Sequence, residues 1–422
     1  MAFDDRRRFL AAPVMEDVVW KETAPRVLGL EYIAIDPGST ISDDIVSITH
    51  DPLRSAITVE LKNTRCPFPV LRGRLSGPAL AMLEWNNMDA ERPHTVKAPS
   101  TASQLEGYYR APVVGTYFLE ILVIQCSDWK NSDDFTNICL EDPLHNRITK
   151  RGVSIRVNHT QPIPVGYWVA KKDKEERPLY TRFQPPNCRI DSSDFHSDRC
   201  TLPTSLSRFD DYEFRWQSKH FFQGKDMLLR DKHTTICFVG DSHAGVLVSY
   251  MKEYAGNRPT ASFRFFVHFP HEVVPPKLEK GVANLNCTAV VLGIGSWSAG
   301  HPGGRPQLFA EYKSEMSAVI AGMANMTNAF VLTNHYMPLG DTLTTCPPTD
   351  WRSPRVIEVY NEILRQVCHE QGVPLIDTNF LISPIWDSAK DWCHFRRMGG
   401  GEEAMYIASI ALGLKSIADQ ER

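Results

Sequence analysis

Residues 234–255, TTICFVGDSHAGVLVSYMKEYA, change their periodicity at a single point, and that point decides the fold. Thr234 to Val239 is an apolar run of strand length, rich in β-branched and aromatic residues. From Ala244 onward the apolar positions Ala244, Leu247, Val248, Met251, Tyr254 and Ala255 recur three and four apart, as on one face of a helix. Gly240-Asp241-Ser242-His243 between them leaves room only for a tight corner, with the glycine supplying the turn. Ser242 then sits at the amino end of the helix, where unpaired backbone N–H groups and the helix dipole favour developing negative charge. Taken alone, the same residues also describe an ordinary N-cap at a strand–helix turn.

The pattern repeats toward the carboxyl terminus. Strand-length runs at Ser262–His268, Thr288–Leu292, Ala329–Thr333 and Val373–Ile376 alternate with helical patterns at 309–322 and in PRVIEVYNEILRQVCHEQG, which ends on the capping Gly372. A last helical pattern, EEAMYIASIALGLKSIA, closes the chain. Five strands alternating with helices predict an α/β domain over 231–422, a mostly parallel sheet with helices on both faces.

Upstream the period is two rather than 3.6. SAITVELKN alternates Ile57, Val59 and Leu61; GTYFLEILVIQC alternates over 115–126; GVSIRVNH places Val153, Ile155 and Val157 on one face. Turn signals at DPG 36–38, LSGP 75–78 and APVVG 111–115 divide these runs. The expectation for 26–168 is an all-β sandwich of immunoglobulin or filamin type, after a tail over 1–25. Residues 169–230, with the charge run KKDKEERP and Cys188 and Cys200 bracketing a polar segment, read as a connector packed on the α/β domain. Those two cysteines are equally readable as a staple or as free thiols.

Composition narrows the function classes. The 422 residues carry a formal net charge of −4, 42% hydrophobic and 23% charged residues, which is ordinary globular usage. No Lys/Arg block is long enough to track a phosphate backbone, so nucleic acid is not an expected partner. No stretch approaches the roughly 18 apolar residues of a membrane span, and the opening lacks the apolar core of a secretion signal. Ten cysteines permit disulfides without requiring them, and Cys237, inside the first predicted strand, reads as a core residue. No His-Glu-x-x-His or paired Cys-x-x-Cys is present, so neither a metal site nor a cofactor is expected. The sequence leaves compartment and oligomeric state open.

In an open parallel sheet, ligands bind beyond the carboxyl ends of the strands. Ser242 follows the first strand, Gly295 the third (LGIGSW) and Asn334 the fourth, and Asp391-Trp392-Cys393-His394 follows the fifth. The Ser242 and Gly295 amides with the Asn334 side chain suit an oxyanion hole, His394 suits a general base for a hydroxyl too weakly acidic to attack alone, and Asp391, three residues earlier, suits an orienter of its ring. Trp297 and Trp392, with His243 beside the serine, are the candidate substrate contacts. Each of these residues has a structural reading as well: a turn former, a surface ion pair or a core aromatic.

In this order the blocks resemble the SGNH, or GDSL-type, esterase superfamily, whose motifs are Gly-Asp-Ser, a glycine, an asparagine and Asp-x-x-His along a flavodoxin-like sheet. The resemblance implies Ser242 as nucleophile and oxyanion donor, Gly295 and Asn334 as further donors, His394 as base and Asp391 as its orienter. A narrower likeness is to the PC-esterase group, which includes plant trichome-birefringence-like and fungal glycan O-acetyltransferases and neurexophilin-like proteins. It rests on GYW 166–168, PLY 178–180, Cys188, Cys200, FRW 214–216, VGDSH, Gly-x-Trp 295–297 and Asp-x-x-His. Phe395 and Arg396 depart from the Trp-Cys of plant members. The likeness implies an enzyme acting on O-acetyl groups of carbohydrate, as esterase or acetyltransferase, with an acetyl donor as co-substrate only in the second case. It also implies a secretory-pathway or extracellular setting, whereas a native start at Met1 implies the cytoplasm. The alternative is a non-catalytic module binding glycan or protein on a degenerate scaffold of the same fold.

Overall fold

The computed structural model describes residues 32–36, 38–42, 46–62, 68–85, 104–127, 152–161, 166–170, 214–217, 226, 228–229, 233–256, 258, 261–300, 306–326, 328–336, 352, 354–385, 394–395 and 397–420. Among these, no helix is long and apolar enough to cross a membrane.

The amino-terminal strands are β1 (Tyr32–Ile35), β2 (Thr40–Ser42), β3 (Val46–Asp51), β4 (Ala56–Leu61), β5 (Phe68–Ser76), β6 (Leu80–Trp85), β7 (Gln104–Tyr109), β8 (Gly115–Ser127) and β9 (Gly152–Val157). The period-two runs land as expected: Ile57, Val59 and Leu61 on β4 and Val153, Ile155 and Val157 on β9 all point into one core. The sandwich expectation is altered in one respect. The described strands form one nine-stranded ladder, ordered β1-β9-β8-β5-β6-β7-β4-β3-β2, antiparallel except where β1 meets β9, in place of two separate sheets. The long β5–β8 pair, with a register shift between Val70 and Leu71, lies near the middle of this ladder, and such an irregularity bends a strand and sharpens its twist. The immunoglobulin-type assignment gains no support from this topology.

β10 (Tyr167–Ala170) pairs antiparallel with β11 (Phe214–Gln217). Trp168, read from sequence as the end of the β domain, is buried in a core of the parallel domain, its Nε1 donating to the Leu381 carbonyl at 2.7 Å. Cys188 and Cys200 lie outside the described residues.

The parallel domain is the one expected. Strands β12 (Ile236–Gly240), β13 (Ser262–Phe266), β14 (Ala289–Gly293), β15 (Ala329–Leu332) and β16 (Leu375–Ile376) are all parallel and lie in the order β13-β12-β14-β15-β16, which is the flavodoxin-like 2-1-3-4-5. Their helices are α1 (Ser242–Tyr254), α2 (Pro275–Asn284), α3 (Ser296–Ala299), α4 (Phe309–Met323), α5 (Pro354–Gln371), α6 (Asn379–Ile382) and α7 (Arg397–Gln420). Every residue of β12 is buried because helices cover both faces. Ile236 and Phe238 face one core with Leu247 and Met251 of α1 and Met405 and Ile407 of α7. Val239, Val290 and Leu292 face the other, with Met316 and Ile320 of α4 and Ile363 of α5. Truncating Phe238 to alanine removes a fully buried ring, a change that costs about 3–5 kcal/mol.

Cys237 is not simply a core residue. It forms a disulfide with Cys287, tying the first strand to the segment that enters the third. Closing a 50-residue separation stabilises by about 4 kcal/mol in the chain-entropy account. The expectation overlooked it because strand periodicity says nothing about what a buried side chain bonds to.

The β core meets both cores of the parallel domain along β6, which sends Ala81 and Leu83 into the β core, Leu80 into the core under α1 and α7, and Met82 against the core under α4 and α5. Buried Arg72 and Arg74 on β5 reach across to the carbonyls of Ser383 (3.2 Å) and Pro384 (2.8 Å). Arg74 is neutralised by Glu120 at 2.5 Å, which also accepts from Ser76.

Candidate active site

The site grows from the register of the parallel strands. Gly240 pairs with Gly293, and Leu292 pairs with Val331. Counting forward equally along each chain sets Ser242, Gly295 and Asn334 in one row beyond the carboxyl ends of β12, β14 and β15. The corner itself is shaped by two local constraints. A Cβ at 240 would stand 2.3 Å from the Gly293 carbonyl oxygen, so glycine is required there by the closeness of the neighbouring strand rather than by an unusual φ. Asp241, 1% exposed, caps α1 by accepting from the His243 amide at 2.9 Å, while the Arg264 guanidinium holds its carbonyl at 3.2 Å. Ser242 thereby becomes the first residue of the helix, with its amide among those lacking an intrahelical acceptor.

His394, 152 residues further on, brings its Nε2 to 2.9 Å from Ser242 Oγ. This is hydrogen-bond reach for a nucleophile and its base. Gly295 has φ +144°, and a Cβ there would lie 2.4 Å from Asn334 Oδ1, so the two expected oxyanion donors touch and only glycine fits between them. Asn334 is fixed on three sides: its amide donates to Asn361 Oδ1 (2.7 Å), its carbonyl accepts from Asn361 Nδ2 (2.9 Å), and its own Nδ2 donates to the Tyr312 hydroxyl (3.2 Å). Nδ2 carries two protons, which leaves one for a ligand. A small cleft opens beside these groups, lined by Asp241, His243, Ser296, Asn334, His335 and Tyr336 among others.

The remaining expectations divide. Asp391 and Trp392 lie outside the described residues. Trp297 is half-buried, edge-on to His268 at 4.4 Å and within 6.5 Å of Phe269; Phe266, 53% exposed, also meets His268 edge-on at 4.4 Å. His243 faces inward: its Nε2 is 3.4 Å from Glu403 Oε2, and its ring stacks at 6.4 Å on that of His394.

Two residues of this centre escaped the sequence reading. His335 follows Asn334 directly and places its Nε2 2.8 Å from Glu403 Oε1 and 2.8 Å from the Thr378 hydroxyl. Glu403, on α7, is wholly buried. Burial alone would push its carboxyl up, but the two imidazoles beside it outweigh that and hold it at about 2. Position after a strand end was a usable signal for His335; Glu403, inside a long helix, has no spacing signature.

No family model matches the chain, and no curated protein matches it. Among solved structures, a candidate acylhydrolase from Bacteroides fragilis NCTC 9343 aligns at 14% identity and TM-score 0.35, covering 46% of this chain and 95% of its own. A GDSL-like lipase from Bacteroides thetaiotaomicron VPI-5482 aligns at 11% identity and TM-score 0.34, covering 46% and 98%. Similarity at this level transfers no chemistry to this chain.

Proposed function

We propose that this chain is a serine-dependent acyl-ester enzyme that moves an acetyl group on or off a carbohydrate hydroxyl through an acyl-Ser242 intermediate. The observation that carries the reading is the 2.9 Å contact between Ser242 Oγ and His394 Nε2 at the carboxyl edge of a parallel sheet. His394 takes the hydroxyl proton as Oγ attacks the ester carbonyl, and the negative charge that develops meets the Ser242 and Gly295 amides and the free Asn334 proton. The imidazolium then protonates the departing alkoxide. Water or a sugar hydroxyl, deprotonated by the same ring, releases the acyl group. Asp391 is assigned to hold the His394 tautomer, a role drawn from the SGNH-like Asp-x-x-His spacing.

Two features favour a sugar ester over a lipid one. The motif set resembles the PC-esterase group, and Trp297, His268, Phe269 and Phe266 gather aromatic faces at the same sheet edge, suited to the apolar face of a sugar ring. The test is hydrolysis of 4-nitrophenyl acetate by the wild type, Ser242→Ala and His394→Ala. Each variant is expected to lose at least about 10³-fold in kcat while remaining folded. Equal rates in wild type and Ser242→Ala would leave the non-catalytic binding module as the better account. Faster release on adding a glycan acceptor would select transfer over hydrolysis.

A further inference from the structure

His243, His335 and Glu403 come from three separate elements, and their donor atoms all lie within 4.8 Å of one another. The centre holds a wholly buried carboxylate and two imidazoles whose side chains are 20% and 7% exposed. A buried anion demands a compensating cation. A protonated imidazole supplies one charge, but it leaves the centre unfinished. Glu403 Oε1, although 2.8 Å from His335 Nε2, has no hydrogen-bond partner among the described residues. Asp241 Oδ2, lining the same cavity as both imidazoles, is buried and likewise without one. One dication held between the two imidazoles and Glu403 offsets the buried carboxylate.

We propose that His243, His335 and Glu403 bind a divalent metal ion of the zinc class through the two imidazole Nε2 atoms and the Glu403 carboxylate. Two nitrogens and one carboxylate are the ligand set of zinc and its first-row neighbours, not of calcium or magnesium, which prefer oxygen throughout. The 3.4 Å separation between Glu403 Oε2 and His243 Nε2 matches donors sharing one ion at about 2.0–2.2 Å, where tetrahedral neighbours stand roughly 3.3–3.6 Å apart, and the 2.8 Å between Glu403 Oε1 and His335 Nε2 is within about half an ångström of it. Capture exchanges the His335–Thr378 hydroxyl contact for the ion, and a remaining coordination position is left for water or a ligand oxygen. His243 directly follows Ser242 and His335 directly follows Asn334. The ion therefore pins the nucleophile corner and the oxyanion loop to the same point on α7. The site stands independently of the esterase reading, since its readout is the metal itself.

The experiment uses the full chain without an affinity tag, stripped by chelator and titrated with Co²⁺, whose visible ligand-field bands report low-coordinate nitrogen and oxygen donors. One equivalent is expected to produce the bands, and Zn²⁺ to displace them. Glu403→Gln and His335→Asn are each expected to weaken binding by at least about 100-fold, with circular dichroism unchanged, while His268→Asn, outside the cluster, binds as the wild type does. Should Glu403→Gln fail to fold, His335→Asn and His243→Asn carry the comparison. Absence of the bands, or bands that persist in the folded cluster variants, overturns the proposal and leaves an ion-pair network linking the three elements.

Discussion

Replacing Gly295 with alanine separates the catalytic role proposed for the oxyanion row from the folding of the sheet. The new Cβ would stand 2.4 Å from Asn334 Oδ1 and 2.6 Å from its Nδ2, well inside van der Waals contact, while the backbone is held at φ +144°. Asn334 is clamped by Asn361 and Tyr312, so it yields only by breaking those hydrogen bonds, and the Gly295 amide must turn away if it does not. Either response removes at least one donor from the row, a loss of about 2.7–4 kcal/mol of transition-state stabilisation, or roughly 10²–10³ in kcat. The strained backbone costs a further 1–3 kcal/mol, roughly, of folding stability. Stopped-flow hydrolysis of a chromogenic acetyl ester, run beside urea denaturation, reads both quantities. KM is expected to change little, because the donors act on charge that develops only in the transition state. Wild-type kcat in a folded Gly295→Ala protein would refute the assignment of this glycine and asparagine to the oxyanion hole.

Two further outcomes follow from the packing. Arg74→Ala leaves Glu120 buried without its cation and severs the contact to the Pro384 carbonyl, so urea denaturation is expected to show a loss of about 3–5 kcal/mol. Burial pushes the Glu358 carboxyl up to about 7, with Arg365 opposing. A raised acid costs nothing below the unfolded value, and the fold loses stability as pH rises through 7; Glu358→Gln is expected to be the more stable protein at about pH 9, by up to about 3 kcal/mol, and equal to the wild type near pH 4. Melting temperatures across that range check the sign.

What was legible in the sequence follows the reach of each physical signal. The parallel domain was readable because strands covered on both faces become continuous apolar runs, and the helices between them carry their own period, so Ile236–Gly240, Ala289–Gly293 and α5 fell where the pattern put them. Once the strand order is fixed, register carries Ser242, Gly295 and Asn334 into one row, which is why position after each strand was informative. In the amino-terminal half, alternation at Ile57, Val59 and Leu61 revealed a buried face but not the neighbour strand, and one ladder looks like two sheets to a period of two. The glycine at 240 was placed correctly for a mistaken reason: closeness to the Gly293 carbonyl, not turn conformation, excludes a side chain. Cys237–Cys287 and the Glu403 centre depend on convergence over 50 to 160 residues, for which neither spacing nor periodicity carries a signal.

The central claim, that His394 activates Ser242 for attack on an acyl carbon, is tested most directly by mass spectrometry of the protein after exposure to a fluorophosphonate. A single adduct on the peptide containing Ser242, formed much more slowly by folded His394→Ala and absent from Ser242→Ala, is the expected result. An unlabelled Ser242 in a folded wild-type protein, or labelling that ignores the loss of His394, would contradict it.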